Sequence, residues 1–209
     1  MKSLLAGLLL LAATAPVGDP LLPVRRVQGK TMVQCTGALE TIMLLAQLAG
    51  VGKGATEFQA QTRSHFALRS NHPAVQETAA LLKQGLGYRE LALFATLISQ
   101  APYFTLQETA EVKELAARLP GPDKEFNMDR LFGYSRLVHD FYWDTRLGTF
   151  LRAELPVYRE ALRHSLPADL PAEAHVLISP LAPVERVEFS RQFPVPATYV
   201  VLGEPAERN

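Results

Sequence analysis

Between residues 36 and 162, apolar side chains recur at the spacing of an α-helix, in segments separated by residues that cap or break helices. One such stripe consists of Leu91, Phe94, Ala95 and Ile98, at positions i, i+3, i+4 and i+7. Leu93 and Leu97 lie off this stripe, so we expect that helix to be buried nearly all round. This periodicity restricts the middle of the chain to a set of packed helices.

The helix boundaries are predicted from residues whose side chains can accept hydrogen bonds from the free amides at a helix start. The candidates are Thr36, Thr56, Asn71, Thr105, Asn127 or Asp129, and Asp144. Thr105 is followed by Glu108, which is the spacing of a capping box. Gly50 and Gly85 are expected to end helices, and Pro156 is expected to kink the last one.

After about residue 166 the residue pattern changes from helical periodicity to short strand-like runs that are separated by prolines. The predicted strands are 174–178, 184–189 and 198–202. Residues 22–35 also look extended, and Gly29-Lys30 is a possible hairpin turn. We therefore predict a mainly α fold: a bundle of about six to seven helices with a short β-rich C-terminal segment (α+β). It forms a single domain over residues 22–203, followed by a polar tail, 204–209, that is expected to fray.

The first residues have the order of a secretory signal peptide. Lys2 supplies a positive charge, residues 4–13 form an apolar run, and Ala13-Thr14-Ala15 resembles a cleavage site. We predict that residues 1–15 are removed, although Pro16 would follow the cut and leaves its position open. No later segment has the roughly 18 uncharged apolar residues of a membrane span. The predicted location is therefore secreted or periplasmic, with no integral membrane span.

Composition narrows the classes of function. Of 209 residues, 48% are hydrophobic and 20% are charged, which is typical of a globular protein. Lys and Arg total 21, as do Asp and Glu, so there is no basic excess of the kind that a dedicated nucleic-acid binder needs. The single cysteine, Cys35, cannot form an internal disulfide and is interpreted as a small buried apolar residue.

No strong catalytic or metal-binding pattern occurs. The five histidines include no H-E-x-x-H pair, and one cysteine cannot form C-x-x-C. The glycine-rich segment 50–54 follows a predicted helix and lacks the Ser or Thr of a phosphate loop, so it is interpreted as a linker. No cofactor and no metal are predicted, and no catalytic residue is assigned.

Four residues are candidate ligand-binding residues. His72 stands before Pro73 at a helix start, and a pocket among the aromatic residues would be lined by Tyr134, Tyr142 and Tyr158. Core packing is the more usual role of helical aromatic residues. We expect it for the whole set: Phe132, Tyr134, Phe141, Tyr142, Trp143, Phe150 and Tyr158.

Four segments together resemble an uncharacterised bacterial secreted domain family. They are residues 39–50, 58–99, 137–162 and 175–183, and the resemblance spans about residues 37–202. The full-length members of that family look like zinc-dependent peptidases of the zincin type. The resemblance implies that an H-E-x-x-H helix would lie downstream of the strands, and this sequence ends at Asn209 without one. Only His72-Pro73 matches a recurring feature of the helical part, and no catalytic residue carries over.

Three functions remain open from the sequence. The first is a secreted or periplasmic interaction module, or truncated paralogue, that resembles the non-catalytic half of a zinc peptidase-like domain. The second is a metallopeptidase whose zinc site is non-standard or is completed by another chain. The third is a small-ligand-binding helical domain. If a missing half normally covers the strands at 174–202, their exposed edges favour self-association or an unknown protein partner.

Overall fold

The computed structural model describes residues 25–27, 31–50, 56–98, 103–162, 166–171, 173–192 and 196–203. The predicted signal peptide 1–15, the tail 204–209 and the Gly29-Lys30 turn lie outside the described residues. Most of the glycine-rich linker, residues 51–55, lies outside them as well.

The described part of the chain is mainly α-helical, as predicted, and contains eight α-helices. They are α1 (Gly37–Leu48), α2 (Glu57–His65), α3 (Pro73–Lys83), α4 (Tyr88–Leu97), α5 (Ala110–Arg118), α6 (Lys124–Asp144), α7 (Leu147–Ala153) and α8 (Leu155–Ala161). A short 3-10 helix, Ala67–Arg69, follows α2. The segment predicted as one kinked helix is divided between α7 and α8, and Pro156 lies in the first turn of α8.

Two predicted helix starts are confirmed in atomic detail. Thr36 accepts a hydrogen bond from the amide of Leu39 at 3.2 Å, which caps α1. Thr56 caps α2 and forms a capping box with Gln59, whose side chain accepts a hydrogen bond from the Thr56 amide in return. At the other end of α1, Gly50 has a φ of 82°, a conformation that glycine adopts without strain.

Four other predicted starts were wrong. The residues preceding the first helical turn are His72 for α3, Thr109 for α5, Asp123 for α6 and Arg146 for α7. For α3, α5 and α6, the side chain of the last residue before the helix accepts a hydrogen bond from the first turn, because only there can it reach the free amides. Arg146, before α7, makes no such hydrogen bond with its side chain. The sequence alone does not select among neighbouring candidates.

Five strands form one sheet, with contributions from both ends of the described chain. They are β1 (Arg25–Val27), β2 (Thr31–Gln34), β3 (His175–Ser179), β4 (Arg186–Arg191) and β5 (Ala197–Gly203), in the order β1-β2-β3-β5-β4. The β1–β2 hairpin and the three C-terminal strands confirm the predicted β segments. The sequence did not show that β2 pairs with β3 in parallel, so that the N-terminal hairpin extends the C-terminal sheet.

The sheet is held against the helices rather than standing apart from them. Every residue of β3 is buried. Arg191 of β4 donates to the carbonyl of Thr96 at the end of α4, at 2.5 Å. Arg89 of α4 donates to the Glu188 carbonyl of the edge strand β4, at 3.2 Å. The central strand is therefore covered, and one carbonyl of the edge strand accepts a hydrogen bond from α4. Self-association through the strand edges, expected if a missing half normally covers them, stays a prediction.

None of the helices within these described ranges has both the length and the apolar character needed to cross a bilayer.

Candidate functional site

His72 caps helix α3, a role that accounts for its position before Pro73. Its Nδ1 atom accepts a hydrogen bond from the amide of Ala74 at 3.2 Å. A neutral imidazole that accepts at Nδ1 carries its proton on Nε2. The Nε2 atom lies 3.5 Å from Oδ2 of Asp144, and the ring packs edge-on against Phe141. His72 therefore connects the start of α3 with the end of α6.

Tyr142 lies at the same end of α6. Its ring centroid is 5.1 Å from that of Phe104, which is buried. Its hydroxyl lies over Gly148 of α7, where a side chain of any size would overlap it. Tyr142 is thus partly buried by contacts from two other segments, and its polar atom is directed to the turn between α6 and α7.

Tyr134 and Tyr158 lie in the interior. The Tyr134 hydroxyl is hydrogen-bonded to Thr78 of α3 at 2.8 Å, and its ring packs 5.0 Å from Phe94. The Tyr158 hydroxyl donates to Glu40 of α1 at 3.0 Å. Both phenols therefore have protein partners, and the small-ligand pocket among the four candidates stays a prediction. The candidates separate into two groups, with His72 and Tyr142 near one surface and Tyr134 and Tyr158 in the core.

Beside His72 and Tyr142 lies a surface that we call the aromatic–acidic corner. It consists of His139, Asp140, Trp143 and Asp144, all on α6. Trp143 is 54% exposed, which is unusual for such a large ring. Tyr103, which precedes Phe104 in the chain, is 72% exposed.

The two carboxylates of the corner share one face of α6. Asp140 and Asp144 are four residues apart, so they are neighbours on the helix surface, and Trp143 lies between them in sequence. Both side chains are more than half exposed. Asp140 is 3.1 Å from Nδ1 of His139, whose ring lies 6.4 Å from the Trp143 ring. The corner thus combines two exposed carboxylates and an exposed indole at the C-terminal end of α6.

Backbone strain is found on both sides of this corner. Phe104 has a φ of 49° and Arg146 has a φ of 55°, values in the left-handed region that bulky residues rarely adopt. Such conformations cost of order 1–3 kcal/mol and persist where the surrounding structure enforces them. Phe104 is buried against Tyr142, whereas the preceding residue, Tyr103, is exposed.

The sequence analysis was wrong about Trp143, which it assigned to the core. Helical periodicity alone could not separate it from its neighbours, because Phe141 and Tyr142 do pack inward. The available signal was the flanking pair of acidic residues, Asp140 and Asp144, which mark the solvent face of α6.

A second site, in the interior, was not found from the sequence. Glu40 of α1 is fully buried at the end of β3, between Tyr158 of α8 and Ser179 of β3. Burial raises the pKa of Glu40 to about 8, and hydrogen bonding from Ser179, Tyr158 and the Leu181 backbone offsets only part of that rise. The signal in the sequence was a lone acid within the apolar run of α1.

Cys35 is buried beside Glu40, as its interpretation as a core residue predicted. Burial, together with the charge of Glu40, raises the pKa of the Cys35 thiol well above its ordinary value. Among the residues that the structure places, no group of three or more His, Cys, Asp or Glu side chains is arranged to hold a metal ion.

Comparison of the chain with protein-family models, with curated proteins and with solved structures finds no match. The resemblance to a zincin-like secreted family therefore remains a prediction from the sequence.

Proposed function

We propose that this protein is an exported interaction module whose aromatic–acidic corner binds a lysine- or arginine-bearing segment of a partner protein. Export is inferred from the signal-peptide pattern of residues 1–15. The observation that carries the binding proposal is the exposure of Trp143 at the end of α6 that also bears two exposed carboxylates, Asp140 and Asp144.

The chemistry of the corner matches a cationic side chain. The face of an indole attracts a guanidinium or ammonium group, and this attraction contributes about 0.5–1 kcal/mol at an exposed site. Asp140 precedes Trp143 by three residues, a spacing that makes the two neighbours on the surface of α6, and Asp144 lies one turn beyond Asp140. A guanidinium can stack on Trp143 while it donates to a carboxylate, because its donors lie in the plane of the group.

The cost of maintaining the corner also supports binding. Like charges four residues apart on a helix are mildly destabilising, and an exposed Trp ring forgoes burial. The strained conformations of Phe104 and Arg146 add a further cost at the same place. Trp, Tyr and Arg are enriched among the residues that contribute most to protein–protein interfaces, and the corner offers a Trp together with carboxylates that an Arg of the partner can pair with.

Resemblance to the helical part of a zincin-like domain agrees with this proposal, because such a part would contribute surface rather than metal ligands. The alternatives of a metallopeptidase with an externally completed zinc site and of a small-ligand-binding domain have no comparable surface feature to support them in the described residues.

The proposal is tested by fluorescence, since Trp143 is the only tryptophan of the chain. Titration with a short oligoarginine peptide is expected to change Trp143 emission in a saturable manner. The double variant Asp140→Asn/Asp144→Asn is expected to weaken binding about fivefold, because two exposed ion pairs are lost. Added salt is expected to weaken binding to the natural chain more than to the variant.

Two controls make the experiment specific. An oligoglutamate peptide should leave the emission unchanged, and Asp129→Asn, an exposed substitution nearer the start of α6, should bind oligoarginine like the natural chain. Equal affinity of the natural chain and the double variant would refute the proposal. So would saturable binding of a neutral oligosaccharide in place of the cationic peptide, or a dimer that buries Trp143 in the absence of peptide.

A further inference from the structure

The carboxyl of Glu40 is fully buried, and no basic side chain among the described residues pairs with it. Tyr158 donates to its Oε2 atom at 3.0 Å, and the Oε1 atom has no hydrogen-bond partner of normal geometry in the described structure. The Ser179 hydroxyl, which is equally buried, and the Leu181 backbone lie near enough to hydrogen-bond to this carboxyl. A buried carboxylate without a basic partner is costly, so the carboxyl has a reason to retain its proton.

Protonation of Glu40 removes the cost of a buried charge and still lets both Glu40 and Ser179 form hydrogen bonds. A neutral carboxyl carries one O–H donor, whereas a carboxylate only accepts. With the proton on Oε1, Glu40 donates to the Ser179 oxygen and still accepts from Tyr158 through Oε2. The neutral group then joins three elements: α1 through Glu40, β3 through Ser179 and α8 through Tyr158.

We infer that Glu40 is a proton-dependent latch: as a neutral carboxyl it fastens α1 and α8 to the end of β3, and its ionisation weakens this joint. This inference is independent of the proposed binding function.

The surroundings of the latch favour the neutral form. The groups that face it are the Cys35 thiol from the segment before α1, the Tyr158 phenol from α8 and the Ser179 hydroxyl from β3. Glu154 lies close enough to Tyr158 to raise the pKa of that phenol further. The pKa values of Cys35 and Tyr158 are both raised by burial and by the charge of Glu40, so neither group ionises in its place.

The direction of the pH effect follows from the proton balance. The pKa of Glu40 is about 8 in the fold, against 4.5 as the ordinary value. Between these two values the unfolded chain has released the proton while the folded chain retains it. The contribution of Glu40 to stability is therefore greatest at acidic pH and falls as the pH rises from about 5 to about 8. Within this window the unfolding equilibrium constant increases by up to tenfold for each pH unit.

The test compares urea unfolding of the natural chain, Glu40→Gln and Glu185→Gln at several pH values across this window. Glutamine has the shape of the neutral carboxyl and supplies an N–H donor for Ser179, so Glu40→Gln should fold and lose this pH dependence. Glu185 is exposed, and Glu185→Gln should retain the slope of the natural chain. Equal slopes for the natural chain and Glu40→Gln would overturn the inference.

A second measurement does not depend on how well any variant folds. The infrared spectrum of the natural chain at neutral pH should contain the carbonyl band of a protonated carboxyl, and this band should disappear with a midpoint near pH 8. A spectrum without that band at neutral pH, or with a band that disappears near the ordinary pKa of a glutamate, would overturn the inference.

Discussion

Asn127 illustrates how a single buried amide joins two helices. Its Nδ2 atom donates to the carbonyl of Ala116 at 3.1 Å and to that of Leu119 at 2.8 Å, at the end of α5. The sequence analysis assigned Asn127 as a possible cap of α6, but Asp123 has that role. Asn127 lies within α6 and donates to the Leu119 carbonyl and, together with the Leu119 amide, to the Ala116 carbonyl.

We expect Asn127→Ala to lower the free energy of unfolding by about 1–2 kcal/mol, because the Leu119 carbonyl loses its side-chain donor and the Ala116 carbonyl loses one of two donors. Chemical denaturation of the natural chain and the variant measures this change. Asp129→Ala, an exposed substitution in the same helix, should stay within about 0.5 kcal/mol of the natural chain. Equal stability of Asn127→Ala and the natural chain would show that water replaces the amide at no cost.

At the scale of elements, α3 depends on an unusual cap. Histidine is not among the residues that most often cap helices, yet Nδ1 of His72 accepts the Ala74 amide while Pro73 supplies the first helical residue. The same ring contacts Phe141, so the cap also fixes α3 relative to α6.

Replacement of His72 separates the contribution of the cap from the contribution of the ring contact with Phe141. We expect His72→Ala to lower the free energy of unfolding by about 1 kcal/mol through loss of the cap, and more if the Phe141 contact contributes. His72→Asn should restore the cap without the ring. Thermal and urea unfolding measure the free energy of unfolding of the two variants. An alanine variant as stable as the asparagine variant would show that capping by His72 is unimportant.

The helical elements were predictable because their signals are local. Thr36 and Thr56 stand directly before apolar periodicity and cap as expected, whereas Thr105 was chosen over Thr109 because a glutamate followed it at the right spacing. The candidate sites were less predictable. Trp143 and Glu40 differ from their helical neighbours only in what lies beside them in three dimensions, and that depends on how distant segments pack.

At the scale of the whole molecule, two glutamines tie the helices to the loop after β3. Gln47 of α1 donates to the Leu181 carbonyl at 2.5 Å, and Gln59 of α2 donates to the carbonyls of Pro180 and Ala182 at 2.9 Å and 3.2 Å. All of these groups are buried, so each hydrogen bond replaces one that water would otherwise make.

Gln59→Ala is expected to lower the free energy of unfolding by about 2 kcal/mol, since it leaves two buried carbonyls without a donor. Hydrogen exchange should show faster exchange of amides in β3 and in the following loop, far from position 59 in sequence. The matched control is Gln61→Ala, because Gln61 lies on the same helix and its hydrogen bond to Glu57 is exposed. A change confined to α2 would contradict the proposed connection.

The parallel pairing of β2 with β3 matches Met32 with His175, and all eight helices lie between the two strands in sequence. A polypeptide that is synthesised or translocated from its N-terminal end therefore cannot complete its sheet while the C-terminal strands are still absent. Until then the first hairpin has no central strand with which to pair. The segment that precedes α1 therefore remains accessible to chaperones that bind incompletely folded chains.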